Sequence, residues 1–74
     1  SMKREILKVP GVRRVDLLKT RLFGSKMYVD IEISAEGDIS LNEAHDIAEN
    51  VHHTIEDNFK DVKHCMVHVN PVNE

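Results

Sequence analysis

The chain has few aromatic residues and a single cysteine: its 74 residues include one tyrosine, two phenylalanines and no tryptophan. Cys65 therefore has no partner for an intramolecular disulfide, which is typical of a protein from a reducing compartment. The sequence also lacks the run of about 18 apolar residues that a membrane-spanning helix needs. Its basic N-terminus has no apolar segment of the signal-peptide type. We therefore expect an aliphatic core in a domain outside the lipid bilayer.

An excess of positive charge is also absent, since ten basic and thirteen acidic residues give a net charge of −3. This balance argues against a nucleic-acid-binding domain held by phosphate contacts. Basic residues are nevertheless frequent in the N-terminal half. A solvated surface is the simplest interpretation there, and contact with anionic lipid headgroups is the alternative if the parent protein sits in a membrane. They include Lys3, Arg4, Arg13, Arg14, Lys19 and Arg21.

The length predicts one small domain over residues 1–74. With 41% hydrophobic and 31% charged residues, the composition favours a folded chain over a disordered one. A single core of this size rarely supplies more than about 3–5 kcal/mol, so a dimer partner or a bound metal would add to stability. Ser1 before Met2 is typical of a cloning remnant, and we expect the chain to be a domain of a larger protein.

The spacing of apolar residues predicts two helices and three strands in the order α-β-β-α-β. The strongest signal is the capping box of Ser40 and Glu43, in which each side chain satisfies a backbone N–H at the helix start. Pro10 and Gly11 end the first helix, and Pro71 is expected to end the last strand. The predicted helices are Met2 to Lys8 and Ser40 to Asn58, and the predicted strands are Val12 to Leu22, Lys26 to Ser34 and Val62 to Asn70.

This order favours an α+β sandwich in which a three-stranded sheet carries both helices on one face, close to a ferredoxin-like fold lacking its first strand. Alternation in the second strand sends Val29, Ile31 and Ile33 to the core and Glu32 to the opposite face. Nothing in the chain covers that opposite face. An open sheet face behind a thin core needs water, a ligand or another subunit.

The turn between the first two strands admits two registers, and a slip of one residue between them moves every side chain to the other face. A two-residue turn at Gly24–Ser25 sets Asp16 opposite Ile33 on the core side. A three-residue turn over 23–25 sets Asp16 opposite Glu32 on the open face.

The three-residue turn is favoured because it brings Val15 and Leu17 into the core. It also places the carboxylates of Asp16 and Glu32 side by side, which costs energy unless a cation lies between them. The favoured register therefore predicts a cation-binding position on the open face.

The histidines are dispersed, without an HExxH or CxxC motif that would mark a metal site by itself. His45 lies in the first turn of the long helix, and His68 shares the open face of the last strand with Asn70. Imidazole and carboxylate groups are suitable zinc ligands, so His68 and Glu32 are candidates. The five histidines are His45, His52, His53, His64 and His68.

Other interpretations apply to the remaining residues of this kind. A solvated helix surface accounts for His52 and His53, and Cys65 alternates with valines as a small core residue does. Glu32 and His68 could form an acid–base pair. The chain nevertheless lacks a phosphate-binding loop and an activated nucleophile, so we predict that it is not an enzyme.

Several segments occur together in a specific order over nearly the whole chain. The most specific are the glutamate-alanine-histidine at the start of the long helix and the histidine-x-x-proline at the end of the last strand. The segments are VPGV at 9–12, DLLKTR at 16–21 followed by Gly24, YVDI at 28–31, SLNEAH at 40–45 and VHVNP at 67–71. In this order they resemble the cytosolic C-terminal domain of cation diffusion facilitator transporters.

The resemblance implies a homodimer with a metallochaperone-like fold at the cytoplasmic face of the membrane. Its partner would be the transmembrane domain of a parent transporter that exports zinc or another divalent cation in exchange for protons. In several members of this family metal binds between the two C-terminal domains and is thought to favour transport.

The resemblance also implies a ligand set, in which His45 and His68 occupy positions where metal-binding members have histidine. Asp16 and Glu32 fall where members have histidine or an acid, and His45 could come from the second chain. Asn70 falls where aspartate is common, which favours one metal over a two-metal centre. Zinc is the expected cofactor, with manganese, iron and cadmium as alternatives.

The leading hypothesis is therefore a metal-sensing dimerisation domain with Asp16, Glu32, His45 and His68 as ligands. The alternative is a purely structural dimerisation module with the same fold and no functional metal. A free-standing metallochaperone is disfavoured because the Cys-x-x-Cys segment of such proteins is missing.

Overall fold

The computed structural model describes residues 1–72 and contains two helices and three strands in the predicted order. In the sheet, the strand order is β1-β2-β3; β1 and β2 are antiparallel, whereas β2 and β3 are parallel. The predicted α+β architecture is confirmed. No helix within residues 1–72 is long and apolar enough to cross a membrane. The elements are α1 (Met2–Leu7), β1 (Arg14–Phe23), β2 (Lys26–Glu36), α2 (Leu41–Asn58) and β3 (Val62–Val72).

The core lies between the helices and the central strand β2. Ile31 and Ile33 of β2 are fully buried, as are Val51 and Ile55 of α2 and Ile6 of α1. The buried faces of β2 and α2 contact each other here, as their sequence periodicities predict. Alternation in the strand and helical spacing in α2 both direct branched aliphatic side chains inward. The core is aliphatic, as the scarcity of aromatic residues predicts.

The long helix begins where the capping box predicts. The Ser40 hydroxyl accepts a hydrogen bond from the Glu43 backbone N–H at 3.0 Å, and the Glu43 carboxylate accepts one from the Ser40 N–H at 3.4 Å. Two backbone donors at the helix start are thereby satisfied. This fixes the first turns of α2, which carry His45.

The turn between β1 and β2 has two residues, so the favoured three-residue turn is wrong. Phe23 pairs with Lys26 across Gly24–Ser25, and Gly24 has a φ of 64°. A two-residue hairpin turn needs positive φ at its centre, which glycine supplies without strain. The register of the two-residue turn holds from Phe23 back to Leu17. The favoured register of the three-residue turn holds only for Arg14 and Val15, beyond an irregularity in β1.

That irregularity is a β-bulge at Asp16. Val15 pairs with Ile33 and Leu17 pairs with Glu32, which leaves Asp16 as the extra residue of β1. Val15 therefore joins the core as predicted. The prediction for Leu17 is wrong, because this side chain is 41% exposed and Leu18 faces the core instead. One inserted residue shifts the register, so each predicted register is realised on one side of the bulge.

The last strand ends later than predicted. Strand β3 continues through Pro71, which pairs with Ala35, to Val72, which pairs with Glu36. Proline is tolerated because β3 is an edge strand, where a missing N–H does not break a ladder on both sides.

Cys65 is buried as predicted, and burial, with the charges of Glu56 and Asp30, raises the pKa of its thiol to about 11. The thiol therefore stays protonated at neutral pH, as a core residue does.

Candidate metal centre

The face of the sheet opposite the helices carries mostly polar side chains, with Met66 among them. It combines every second residue of β2 with its register neighbour on β3, and the bulge of β1 adds Asp16. Carboxylate, amide and imidazole groups are thus concentrated on a surface that no element of residues 1–72 covers. The β2–β3 pairs of this face are Tyr28 with His64, Asp30 with Met66, Glu32 with His68 and Ser34 with Asn70.

Asn70 bridges the two carboxylates that were predicted to flank a cation. Its side-chain nitrogen donates a hydrogen bond to Asp16 Oδ2 at 3.3 Å and another to Glu32 Oε1 at 3.2 Å. An amide NH₂ group has two hydrogens, so one nitrogen serves both acceptors. The predicted pairing of Asp16 with Glu32 is wrong, because Leu17 is the register partner of Glu32. The bulge and Asn70 nevertheless join the two carboxylates in one network.

Asp16 is held by further groups at the same position. The Ser34 hydroxyl, which is 1% exposed as a residue, donates to Asp16 Oδ2, and the Arg14 Nε lies 3.7 Å from Asp16 Oδ1. The hydrogen bonds from Ser34 and then Asn70 hold the pKa of the Asp16 carboxyl below its ordinary value, and the Arg14 charge acts in the same direction. These donors favour the ionised carboxylate, which is the form that a cation binds.

The lowered pKa of Asp16 predicts an acid-dependent loss of stability. Because the folded state holds this carboxyl below its ordinary pKa of 3.8, the stabilisation is complete above that pH and is lost as pH falls through the folded pKa. Asp16→Asn should therefore flatten the stability profile below about pH 4. Urea unfolding between pH 2 and 7 would measure this, with Asp38→Asn as a control for the change in net charge. Parallel profiles for Asp16→Asn and the wild type would contradict the prediction.

His68 lies beside Glu32 on the open face. The two residues are register neighbours on β2 and β3, and His68 is exposed whereas Glu32 is half-buried. Neighbouring strands lie roughly 4.8 Å apart, so an imidazole and a carboxylate in register can reach one ion. The structure therefore brings His68, Glu32 and Asp16 to the same face.

His45 lies on the other side of the sheet. It is exposed on α2 and lines a groove with Ala44, Ala48 and Val69, and Val69 packs on the helical side of β3. The four predicted ligands thus do not converge within one chain. Across residues 1–72, the structure brings no three histidine, cysteine, aspartate or glutamate side chains into a metal-binding group.

The remaining histidines have local partners. His52 Nε2 lies 3.2 Å from Glu56 Oε2, and His53 Nε2 lies 3.7 Å from Glu49 Oε2, as expected of a helix surface with side chains four residues apart. The ring of His64 lies 6.0 Å from that of Tyr28.

Sequence reasoning missed the role of Asn70. It was treated as a weakened ligand position, whereas its amide links β1, β2 and β3 through two carboxylates. Its place on the open face two residues after His68 was visible in the sequence, but its contact with Asp16 depends on the bulge.

Solved structures share the fold. A cadmium form of the MamM CTD superposes with a TM-score of 0.93 at 24% identity, covering 97% of this chain and 89% of that one. A MamM CTD structure of residues 215–293 has a TM-score of 0.92 at 24% identity and covers 96% of this chain and 90% of that one. At this identity the likeness establishes the fold alone.

Curated relatives are longer than this chain. The manganese efflux system protein MneP of Bacillus subtilis (strain 168) is 32% identical over 69 residues, which are 93% of this chain and 23% of the relative. MneS of the same organism is 33% identical over 74 residues, which are 100% and 25%. Metal tolerance protein 2 of Oryza sativa subsp. japonica is 34% identical over 68 residues, which are 92% and 18%.

A family model described as the cytoplasmic domain of cation efflux proteins matches residues 1–72. The match covers all five elements of the fold, including the sheet face that carries Asp16, Glu32 and His68. The chain therefore belongs to the cation efflux protein family, as a cytoplasmic domain of that family.

Proposed function

We propose that this domain binds a divalent cation on its open sheet face and, as a dimer, reports the metal to the transport machinery of a parent efflux protein. The observation that carries the proposal is the Asn70 amide bridging Asp16 and Glu32, with His68 beside Glu32. Two carboxylates held this close repel each other, and a positive or donor group between them relieves the repulsion. The amide fills this role in the absence of a cation.

The donor set suits cations that accept both oxygen and nitrogen ligands. Rotation of the Asn70 amide would present its carbonyl oxygen in place of its NH₂ group, next to two carboxylates and one imidazole. Oxygen ligands suit manganese, whereas imidazole suits zinc and iron as well. Zinc remains our first expectation, and the names of the two Bacillus relatives supply a reason to test manganese beside it.

A second protomer would complete the ligand set. No element of residues 1–72 covers the open face, and His45 lies on the far side of the sheet. Of the four candidate ligands, one chain therefore brings Asp16, Glu32 and His68 to this position. We propose that the groove around His45 on α2 of the partner subunit approaches this open face, so that His45 of the partner subunit joins the site. The thin core supports the same arrangement, because a domain of this size gains stability from a partner subunit or a bound metal.

Metal titration of the 74-residue chain tests the site. Zinc and manganese should raise the melting temperature. A ligand that binds only the folded state adds about 2.7 kcal/mol to the free energy of unfolding at a hundredfold excess over its dissociation constant. His68→Ala should remove most of this gain with a change in metal-free stability of no more than about 0.5 kcal/mol. His53→Ala is the matched control and should retain the gain, because His53 faces solvent on α2.

The pH dependence of the gain identifies the ligand type. Metal stabilisation should fade below about pH 6, because imidazole must be neutral to coordinate. If His68→Ala binds as tightly as the wild type by calorimetry, the metal proposal fails.

A purely structural dimerisation module is the second candidate function. It is favoured by the same Asn70 hydrogen bonds, which satisfy both carboxylates without a cation. Sedimentation of a metal-free dimer at micromolar concentration, with no response to zinc or manganese, would decide for this candidate.

A further inference from the structure

The tip of the β1–β2 hairpin, residues 22–25, exposes two large apolar side chains. Leu22 is 69% exposed and Phe23 is 58% exposed. Side chains of this size are usually buried, and adjacent exposed ones often mark an interaction surface. Leu22 and Phe23 are consecutive in β1, so their side chains project from opposite faces of the hairpin directly before its tight turn.

Phe23 is held in its exposed position by the strand beside it. Its ring packs edge-on against Tyr28 with a centroid distance of 5.1 Å and an interplanar angle of 72°. The ring is therefore oriented by a neighbour while more than half of the residue faces solvent. This arrangement presents an apolar group with little conformational freedom left to lose on docking.

The residues around the tip are basic. Segment 19–26 contains Lys19, Arg21 and Lys26 and no acidic residue, although the whole chain has a net charge of −3. Arg21 pairs with Asp30 on β2 at 3.0 Å. Lys63 is the second residue of β3, at the same end of the sheet, where Met27 pairs with Val62. Lys19, Arg21 and Lys26 thus flank the exposed apolar residues along the hairpin. Asp30 pairs with Arg21, and the Asp61 carbonyl accepts a hydrogen bond from the Met27 N–H at the same end of the sheet.

We propose that the hairpin tip docks on the anionic surface of a lipid bilayer. Leu22 and Phe23 would enter the boundary between headgroups and acyl chains, with Lys19 and Lys26 close to lipid phosphates. Apolar side chains flanked by lysine and arginine suit an anionic membrane surface. Burial of the apolar groups and attraction of the cations to lipid phosphates both contribute to the binding free energy. Tethering to a membrane-embedded parent would raise the effective concentration of bilayer at the tip.

This contact is separate from the metal centre. Lys26 and Ser34 are eight residues apart on β2, which is roughly 26 Å at the strand rise of about 3.3 Å per residue. The docking surface and the site at Asp16 and Asn70 therefore lie at opposite ends of the sheet. Loss of one would leave the other intact, so the two proposals fail independently.

Tryptophan substitution tests insertion directly, because the chain has no native tryptophan. Phe23→Trp should show a blue-shifted emission with vesicles of phosphatidylglycerol and phosphatidylcholine, and the shift should disappear at about 0.5 M salt, where charges are screened. Leu41→Trp is the matched control: Leu41 is 86% exposed at the start of α2, away from the tip, and its emission should not shift.

Vesicle sedimentation tests the two components. Leu22→Ser with Phe23→Ser should lower the partition coefficient for anionic vesicles by about tenfold or more, and Lys19→Glu with Lys26→Glu should do the same. Leu41→Ser should have no effect, and circular dichroism would verify the fold of each variant. The proposal is overturned if wild type does not bind, if it binds vesicles of pure phosphatidylcholine equally well, or if the tip variants lose self-association instead of vesicle binding.

Discussion

Ile31→Ala is expected to leave most of the chain unfolded at room temperature. Ile31 is fully buried at the centre of β2, between Leu18 of β1 and Val67 of β3 in register. Truncation of a buried isoleucine to alanine costs about 2–5 kcal/mol, because transfer energy is lost and a cavity remains. A core of this size supplies only about 3–5 kcal/mol, so the loss is close to the whole stability.

The control for this variant is Leu22→Ala, which removes similar atoms from a side chain that is 69% exposed. Its stability should change by no more than about 0.5 kcal/mol. Circular dichroism during urea titration, at fixed protein concentration, would compare the two variants. A cooperative transition for Ile31→Ala within about 1 kcal/mol of the wild type would show that the core relaxes around the cavity or that dimer contacts carry the stability.

Asn70→Asp should make the stability of the domain depend on metal. The substitution replaces the NH₂ group that donates to Asp16 and Glu32 with a third carboxylate. Two acceptors lose their donor and three negative charges come together, so the metal-free domain should lose about 1–3 kcal/mol at neutral pH. The affinity for a divalent cation should rise by about tenfold or more, because a charged ligand replaces a neutral one.

The metal-free Asn70→Asp variant should regain stability as pH falls toward 4, since protonation of one carboxyl relieves the repulsion. Asn50→Asp on the exposed surface of α2 adds the same charge and should change neither stability nor metal affinity appreciably. Thermal melts and calorimetric titration with zinc and manganese would measure both effects. Unchanged metal-free stability together with unchanged affinity would show that Asn70 is not a bridge in solution.

Local patterns predicted most of the fold because each element carries its own signal. The capping box located the start of α2, and alternation located β2 and its buried face. The prediction of the hairpin register failed because alternation within β1 is interrupted at Asp16. A bulge leaves no signal in the sequence beyond that interruption. Leu17 and Leu18 are chemically alike, so composition could not show which of them faces the core.

The candidate site was predicted as a set of residues but not as a geometry. Placement of Glu32 and His68 on one face followed from strand alternation, and their register confirmed it. The link from Asp16 to Asn70 spans 54 positions in the chain and depends on a bulge, so no local pattern encodes it. His45 is separated from the other three candidates because α2 packs on the opposite face of the sheet. Only the packed fold shows on which face α2 lies.

Asp16 is the one residue of β1 that has no pairing partner on β2, because it forms the bulge. Deletion of that residue would join Val15 directly to Leu17 and leave both in register with their present partners. A lineage could therefore gain or lose this carboxylate by a single-codon insertion or deletion without rebuilding the sheet. Val15 and Leu18, which pack against the core, and Asp16, which the ladder leaves unpaired, would then change independently of one another along the same strand.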